Sequence, residues 1–529
     1  MAFSPNSEVH LLNVPLENDL KNQIYFENSS DQYNYFKTKI IHSYDKLTYQ
    51  RKDNYIRVPN HIDELYNCNY VMYRNNNYST KWFYAFIIKK EYINDGCTHV
   101  YIETDVYQTW LFNVTLKPSF VEREHVKVSD DIPGKHTLPE GLETGEFIVN
   151  SLSSDNTMEE LAIYVAFSEY KNDNVEVVGN FYGGIYSGMA YHMFPNTTSG
   201  INNLNEFLNS YDKGRAEAIM TIFIAPAYLG LESAEQAHVW DHQQVKPSEN
   251  PKYYWIEMEK QTSIDEYNPK NKKLLTFPYK YLSVSNNSGT NVIYKYEKFN
   301  WNNTNKFRFQ VAGTLTPGGS IRMVPFEYNG SGNSANNDEG INGGKFPICC
   351  WNSDTYTNWL TQNGVNIGLS IVSGIGQIAA GVGMAIASGG IGMAVGGGTA
   401  LGGVSSIIGT MAQIHQQAFV PDQVKGNTNC GDVITAGGDN SFQFYDMSIK
   451  KEYAEKIDNF FEMFGYKVNQ VKVPNVSDRP YWNYVKTIDI NIDGAIPTED
   501  MQKLKNMYNQ GVTLWKNGNL VGDYSQNNH

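Results

Sequence analysis

Over the first 150 residues, short apolar runs alternate with polar turns. Lys81–Ile88 is an apolar-aromatic run, and Thr98–Phe112 places Val100, Ile102 and Val106 at even spacing, the period of a half-buried strand. Asn75–Asn77 and Asn94–Gly96 supply turn residues between such runs. Residues 151–260 mix the two periods. Ile201, Leu204, Leu208 and Tyr211 fall at helical spacing, while Ile219–Ala225 reads as a buried strand stopped by Pro226. Residues 261–345 return to short strands, divided at Asn286–Gly289 and Pro317–Gly319. The clearest helix starts at Lys450: Tyr453, Ile457, Phe460, Phe461 and Phe464 share one face, and Gly465 is its natural stop. A second helix is expected from Thr498 to Gln510, with Thr498 as N-cap, Glu499 and Asp500 beside the positive helix start, and Gly511 ending it.

One stretch follows neither period. Between Asp354 and Asp422 there is no Asp, Glu, Lys or Arg, in a chain that is 19% charged. Fifteen of the 44 glycines lie between Gly364 and Gly409. A soluble core helix avoids glycine, which costs about 1 kcal/mol against alanine. Lipid changes that balance, because a membrane span needs about 20 apolar residues and tolerates glycine where helices approach closely. Val365–Ile408 is long enough for two short spans. The expected membrane-insertion positions are Val365, Ile367, Leu369, Ile371, Val372, Ile375, Ile378, Val382, Met384, Ile386, Ile391, Met393, Val395, Leu401, Val404, Ile407 and Ile408. Gly392 with Gly396, and Gly398 with Gly402, give two GxxxG spacings; Gly389–Gly390 or Gly396–Gly397–Gly398 supply a turn between spans. A flexible linker would be Ser-rich and polar, which the many isoleucines contradict. A permanent anchor conflicts with the glycine-broken spans and the lack of Lys/Arg flanks. A membrane-active loop that is exposed only on demand fits best, with a buried plug that never meets lipid as the competing reading.

Composition narrows the setting. The 529 residues correspond to three or four domains at roughly 150 residues each. The boundaries read as 1–150, an N-terminal β domain; 151–260, an inserted α+β domain; 261–350, a second β segment; 351–432, the apolar loop; and 433–529, a C-terminal α+β segment. At 41% hydrophobic the chain has material for real cores. A net charge of −14 argues against nucleic-acid binding through phosphate neutralisation. Cys68, Cys97, Cys349, Cys350 and Cys430 are odd in number and contain no CxxC, so neither a disulfide scaffold nor a cysteine-built zinc site is expected. Met1–Val14 has no basic or apolar leader pattern, so no secretory signal is expected. No period of 20–50 residues points to a repeat architecture.

Catalytic patterns fail in turn. There is no GxSxG, GxxxxGK[ST], HExxH or EF-hand loop. His238 and His242 would share a helix face, but no third ligand accompanies them, and a solvated segment is the plainer reading. Glu122, Arg123, Glu124 and His125 contain a carboxylate pair conceivable in glycoside hydrolysis, yet mixed-sign neighbours are more often an ion-pair network. Lys270, Lys272 and Lys273 read as a solvated loop, with contact to an anionic neighbour as the functional option. His415 lies near the end of the apolar stretch, where it could sense acid. No catalytic residue, metal ligand or cofactor is expected.

Several strings together resemble one family. They are Glu91–Asn94 with Tyr101–Trp110; Phe120–Val126; Tyr267–Leu274 with Pro278–Tyr279; and Phe464–Tyr466, Val471–Asn475 and Arg479–Lys486. In this order, with the apolar stretch between the third and fourth, they resemble the tail knob (distal tail tube) proteins of small podoviruses of the Picovirinae type. The resemblance implies a mainly β fold with α+β parts: tail-tube-like β-barrel domains forming a ring, an inserted domain, and a long Gly-rich apolar loop. It implies a homo-hexamer at the distal end of the virion tail, in contact with other tail proteins (the upper tube or collar, and the tip). It further implies that six loops, here about Gly364–Gln417, plug the lumen and then enter the host cytoplasmic membrane, and that double-stranded DNA passes through without specific binding. The residues agree on three points. An acidic wall suits sliding DNA. A charge-free stretch in a soluble chain must be hidden, which a lumen would do. In lipid its backbone groups must pair within helices. A receptor-binding or wall-degrading tail component, with its groove in residues 151–260, is the alternative; a secreted pore-forming toxin would normally carry a signal peptide.

Overall fold

The computed structural model describes residues 6–346 and 441–529, apart from residues 48, 51–53, 155–159, 169–170, 173–174, 177–179, 188, 210–218, 232–241, 249, 251, 288, 301–304 and 317–318. The chain is mainly β, as the alternation and the Tyr- and Phe-rich composition predict. It divides into two compact units. The first joins residues 1–143, 269–273 and 452–529; the second joins residues 144–268 and 274–451.

The first unit is built on a seven-stranded antiparallel sheet. Its order is Ile40–Asp45, Ser7–Leu12, Tyr70–Asn75, Phe83–Asn94, Cys97–Thr104, Tyr55–Val58 and Tyr49–Gln50. Alternate side chains feed two cores. Val9, Leu11, Val71, Val100 and Ile102 face one, and Leu12, Tyr70, Met72 and Phe86 face the other. Helix Ser29–Lys37 covers the second face through Phe36, which stacks on Tyr70 with ring centroids 5.4 Å apart. The run Thr98–Phe112 is not one strand. It breaks after Thr104 because buried Asp105 caps a short helix, Val106–Trp110, by accepting the N–H groups of Tyr107 and Gln108 at 3.1 Å.

A five-stranded sheet completes this unit, in the order Asn22–Ile24, Val512–Trp515, Trp482–Ile488, Ser119–Glu124 and Tyr466–Lys472. Helix Lys451–Phe464 ends where the sequence places its stop. Gly465 has φ +63°, and a Cβ there would meet the Glu124 carbonyl oxygen at 2.2 Å, so only glycine lets the helix end approach that strand. Helix Thr498–Gln510 ends at Gly511 as expected, but Thr498 is its first residue, and Pro497 precedes it without a side-chain cap.

The second unit holds three four-stranded antiparallel sheets. The first is Phe147–Ser154, Gln443–Ile449, Lys280–Ser285 and Asn291–Lys295. The second is Ile219–Pro226, Leu161–Ser168, Met189–Pro195 and Gln243–Gln244. The third is Lys252–Glu259, Lys306–Gly313, Ser320–Pro325 and Ile341–Lys345. Helix Thr198–Asn209 forms where the helical spacing predicts it. All three sheets contribute to one core in which aromatic rings dominate, among them Phe223, Tyr294, Phe299, Phe307, Phe309 and Phe444.

Candidate functional site: the stem of the apolar stretch and the charged clusters

The membrane-insertion positions Val365–Ile408, their glycines, His415, His238, Cys349, Cys350 and Cys430 lie outside the described residues. What the structure supplies is the stem on either side. Phe346 ends the described chain on one side and is 1% exposed; Phe442, next to buried Ser441 where the described chain resumes, is 0% exposed; both phenylalanines belong to the same core. Phe346 stacks on Phe223 at 4.7 Å, and its N–H donates to the Gly319 carbonyl at 2.6 Å. Two residues beyond Phe442, Phe444 packs on Phe309 at 5.4 Å. The described chain on both sides of residues 347–440 therefore packs into one aromatic core.

The returning strand, Gln443–Ile449, also carries a buried charge pair of this unit. Asp446 accepts the Lys280 ammonium at 2.8 Å and the Tyr296 hydroxyl at 2.5 Å. Lys280 donates a further bond to the Ser263 carbonyl at 2.9 Å. Burial pushes the Lys280 ammonium below its ordinary range, and Asp446 opposes that shift.

In the first unit, the cluster Glu122–His125 is committed to structure. Glu122 accepts the Lys486 ammonium at 3.0 Å. Arg123 pairs with Glu140 and donates to the Gly465 carbonyl at 2.7 Å. Glu124, fully buried, accepts the Lys472 ammonium at 2.5 Å and the Asn475 N–H at 2.8 Å. His125 Nδ1 accepts the Tyr484 N–H at 2.7 Å, which leaves the proton on Nε2 to donate to the Glu462 carbonyl at 2.9 Å. Burial, with Arg479 nearby, pushes this imidazole down to about 3, so it stays neutral. The ion-pair reading thus describes this cluster, and both carboxylates have partners.

The lysine triplet differs from expectation. Lys273 is not solvated: it is 4% exposed and pairs with Glu140. The backbone N–H groups of Lys270 and Asn271 donate to the Asp458 carboxylate at 2.8 and 3.0 Å. Asp458 and Glu462 are buried carboxylates with structural partners that the sequence does not single out. They sit at i and i+4 on the buried face of helix Lys451–Phe464, beside Ala454, Ile457 and Phe461. Two acids interrupting an apolar helix face are the signal that would have found them. Arg479, 1% exposed, donates to the Val126 carbonyl at 2.7 Å and lies 3.9 Å from Asp131.

His242 meets His192, with Nε2 and Nδ1 3.0 Å apart, and stacks on Phe194 at 4.4 Å. Cys68 and Cys97 are free thiols. Among the described residues, no helix is long and apolar enough to cross a membrane, and no group of three potential ligands could hold a metal ion.

Comparison with known proteins gives a consistent picture. Residues 242–529, more than half of the chain, match the family model of the C-terminal domain of the tail knob protein gp9 of Bacillus phage phi29. Residues 5–115 match the Caudoviral major tail protein N-terminus. The chain is 29% identical to the tail knob protein gp9 of Bacillus phage B103 and 28% identical to that of Bacillus phage phi29, each match covering 100% of both chains. Among solved structures, the tail knob protein gp12 of bacteriophage C1 superposes with a TM-score of 0.60 over 98% of each chain at 15% identity, which establishes the shared fold.

Proposed function

The chain belongs to the phi29 gp9 tail knob family and is a structural protein of a phage tail, and on that premise we propose that its apolar stretch first plugs and then opens a path for the genome. In this reading six copies form a ring at the distal end of the tail, joined to the upper tube or collar and to the tip proteins. The segment Val365–Ile408 of each copy occupies the lumen. On contact with the host, the segments leave the lumen and enter the cytoplasmic membrane, and double-stranded DNA passes through without sequence-specific contact.

One observation carries the reading: no charge between Asp354 and Asp422 in a chain of net charge −14. A charged residue at the bilayer centre costs about 2.5–3.5 kcal/mol on insertion scales, so its exclusion over the whole stretch is what a lipid environment requires. The anchored stem supports it. With Phe346 and Phe442 held in one core, the stretch can change place without unfolding the sheets at either end.

The test is dye release from anionic liposomes between pH 4 and 8. It compares the intact chain with a variant in which a short Gly-Ser linker replaces residues 365–408. Leakage by the intact chain, absent from a variant with an unchanged melting profile, is the expected result. Equal leakage from both would remove the stretch from the mechanism. Sedimentation of the same samples reads the ring: six-fold mass is expected.

A further inference from the structure

A cavity of about 470 Å³ opens on the first unit, between strand Tyr466–Lys472 and the segment 126–138. Lys127, Lys135, Lys467 and Lys472 are four of its lining residues, against three acids, Glu124, Asp130 and Asp478. That surplus runs against the −14 balance of the chain. Three of the lysines are paired across the wall: Lys127 with Asp478 at 3.4 Å, Lys472 with Glu124 at 2.5 Å, and Lys135 with Asp130. Lys467 is different. Its backbone N–H donates to Glu140, but its ammonium makes no ion pair among the described residues, although the side chain is half-buried. His136 also lines the cavity, its Nε2–H donating to the Asp130 carbonyl at 3.0 Å. Buried Val126 and Val468 make part of the floor, where lower polarisability strengthens any charge interaction.

We propose that this cavity binds a phosphate group, with Lys467 as its principal charge partner and Lys135 and Lys472 closing around it. The lining contains no arginine, so an anion there meets lysine ammonium groups and no planar fork. Lysines act as point charges with three donors each, and a lysine already paired to one acid keeps donors to spare. Several such groups arranged round a hollow suit a tetrahedral oxyanion, which presents acceptors in every direction. Exposed Thr137 and Gln470 at the mouth add neutral donors for an ester oxygen or a neighbouring hydroxyl.

The full chain is titrated calorimetrically with inorganic phosphate at fixed ionic strength and pH 7.5. One saturable site with a Kd on the order of 1 mM is expected. Lys467→Gln should weaken binding about tenfold or more, and Lys467→Arg should retain most of it. Lys135→Gln, at an exposed position, repeats the test from the opposite wall without touching a buried group. Glucuronate should bind more weakly than phosphate. Glycerol 3-phosphate and a soluble glycerol-phosphate polymer identify the source. Displacement by the polymer assigns the site to a phosphodiester chain, displacement by the monomer alone assigns it to a small phosphate, and both support the site. Heat that does not saturate, binding unchanged in both glutamine variants, or glucuronate binding as tightly as phosphate would each overturn the proposal.

Discussion

The two units hold their interiors together by different chemistry. In the unit of residues 1–143, 269–273 and 452–529, ionisable groups join distant pieces of chain. Glu140 takes both Arg123 and Lys273, Asp458 takes the N–H groups of Lys270 and Asn271, and Glu462 takes the Asn528 N–H at 3.0 Å and His529 at 2.9 Å. In the unit of residues 144–268 and 274–451, aromatic rings fill a continuous core whose buried charges are the Lys280–Asp446 pair and Lys260, which donates to the Asn300 carbonyl at 2.7 Å. The difference has a physical meaning. Aromatic burial is divisible, each ring adding its own area. A buried charge pair is not divisible: removing one partner leaves the other desolvated and alone. The five residues 269–273 illustrate this, since polar contacts tie them to a unit from which their sequence neighbours are excluded.

Breaking the charge network should therefore have the largest effect. Glu140 has no exposed side-chain surface, and Glu140→Ala strands both Arg123 and Lys273. The expected loss is about 3–5 kcal/mol, read from urea unfolding followed by the fluorescence of buried Trp482 and Trp515. The counterpart in the other unit sharpens the comparison. Lys280→Met alone should cost a similar amount. Lys280→Met combined with Asp446→Leu and Tyr296→Phe should return close to the parent, because the pair is then removed as a pair. A Glu140→Ala loss below about 1 kcal/mol would mean that the network is not paired in solution as it is in the structure.

The next effect is a pH dependence carried by a histidine of the charged unit. His125 is neutral in the fold, pushed from 6.5 to about 3 by burial and by Arg479. The unfolded chain binds a proton below about pH 6.5 that the folded chain refuses until about pH 3. The stability linked to His125 is thus full above pH 6.5 and is lost as pH falls toward 3. The slope is about 1.4 kcal/mol per pH unit within that window. His125→Gln retains a donor and an acceptor without the titration, so its unfolding curves from pH 7 to 4 should be flatter than those of the parent. Parallel curves would place the acid sensitivity elsewhere, in the Glu462–His529 pair first.

How much of this was legible in the sequence follows the same division. Alternation and helical spacing located the strands around Val100 and Ile102 and the helix ending at Gly465, because those elements bury one apolar face each. Partnering between charges was not legible. Lys273 looks like its neighbours in the triplet, and Asp458 and Glu462 are hidden in a helix read for its phenylalanines, since their partners lie between 66 and 191 residues away. The even spacing of Val100, Ile102 and Val106 runs a strand through Asp105, because a cap depends on local hydrogen bonds and not on hydrophobic period. The tail knob family was legible from ordered strings spread along the chain, and the match over residues 242–529 bears that out. The apolar stretch was legible as a composition, not as a geometry.

The smallest expected effect comes from charges that are paired but wet. Glu257, on strand Lys252–Glu259, accepts Lys306 at 3.3 Å and Arg308 at 3.2 Å, with 43% of its side chain exposed. The geometry rivals that of the buried pairs, yet water screens both partners and remains available to either when the other is gone. Glu257→Gln should therefore cost roughly 0.2–1 kcal/mol, and the loss should shrink further as salt is raised. Arg308 also keeps its place over the Trp255 and Phe326 rings at 5.0 and 4.7 Å, so the variant does not release it. Urea unfolding of Glu257→Gln at low and high salt, set beside Glu140→Ala, isolates burial as the variable. A Glu257→Gln loss equal to that of Glu140→Ala, insensitive to salt, would show that geometry rather than desolvation sets the strength of these pairs, and would remove the distinction drawn between the two units.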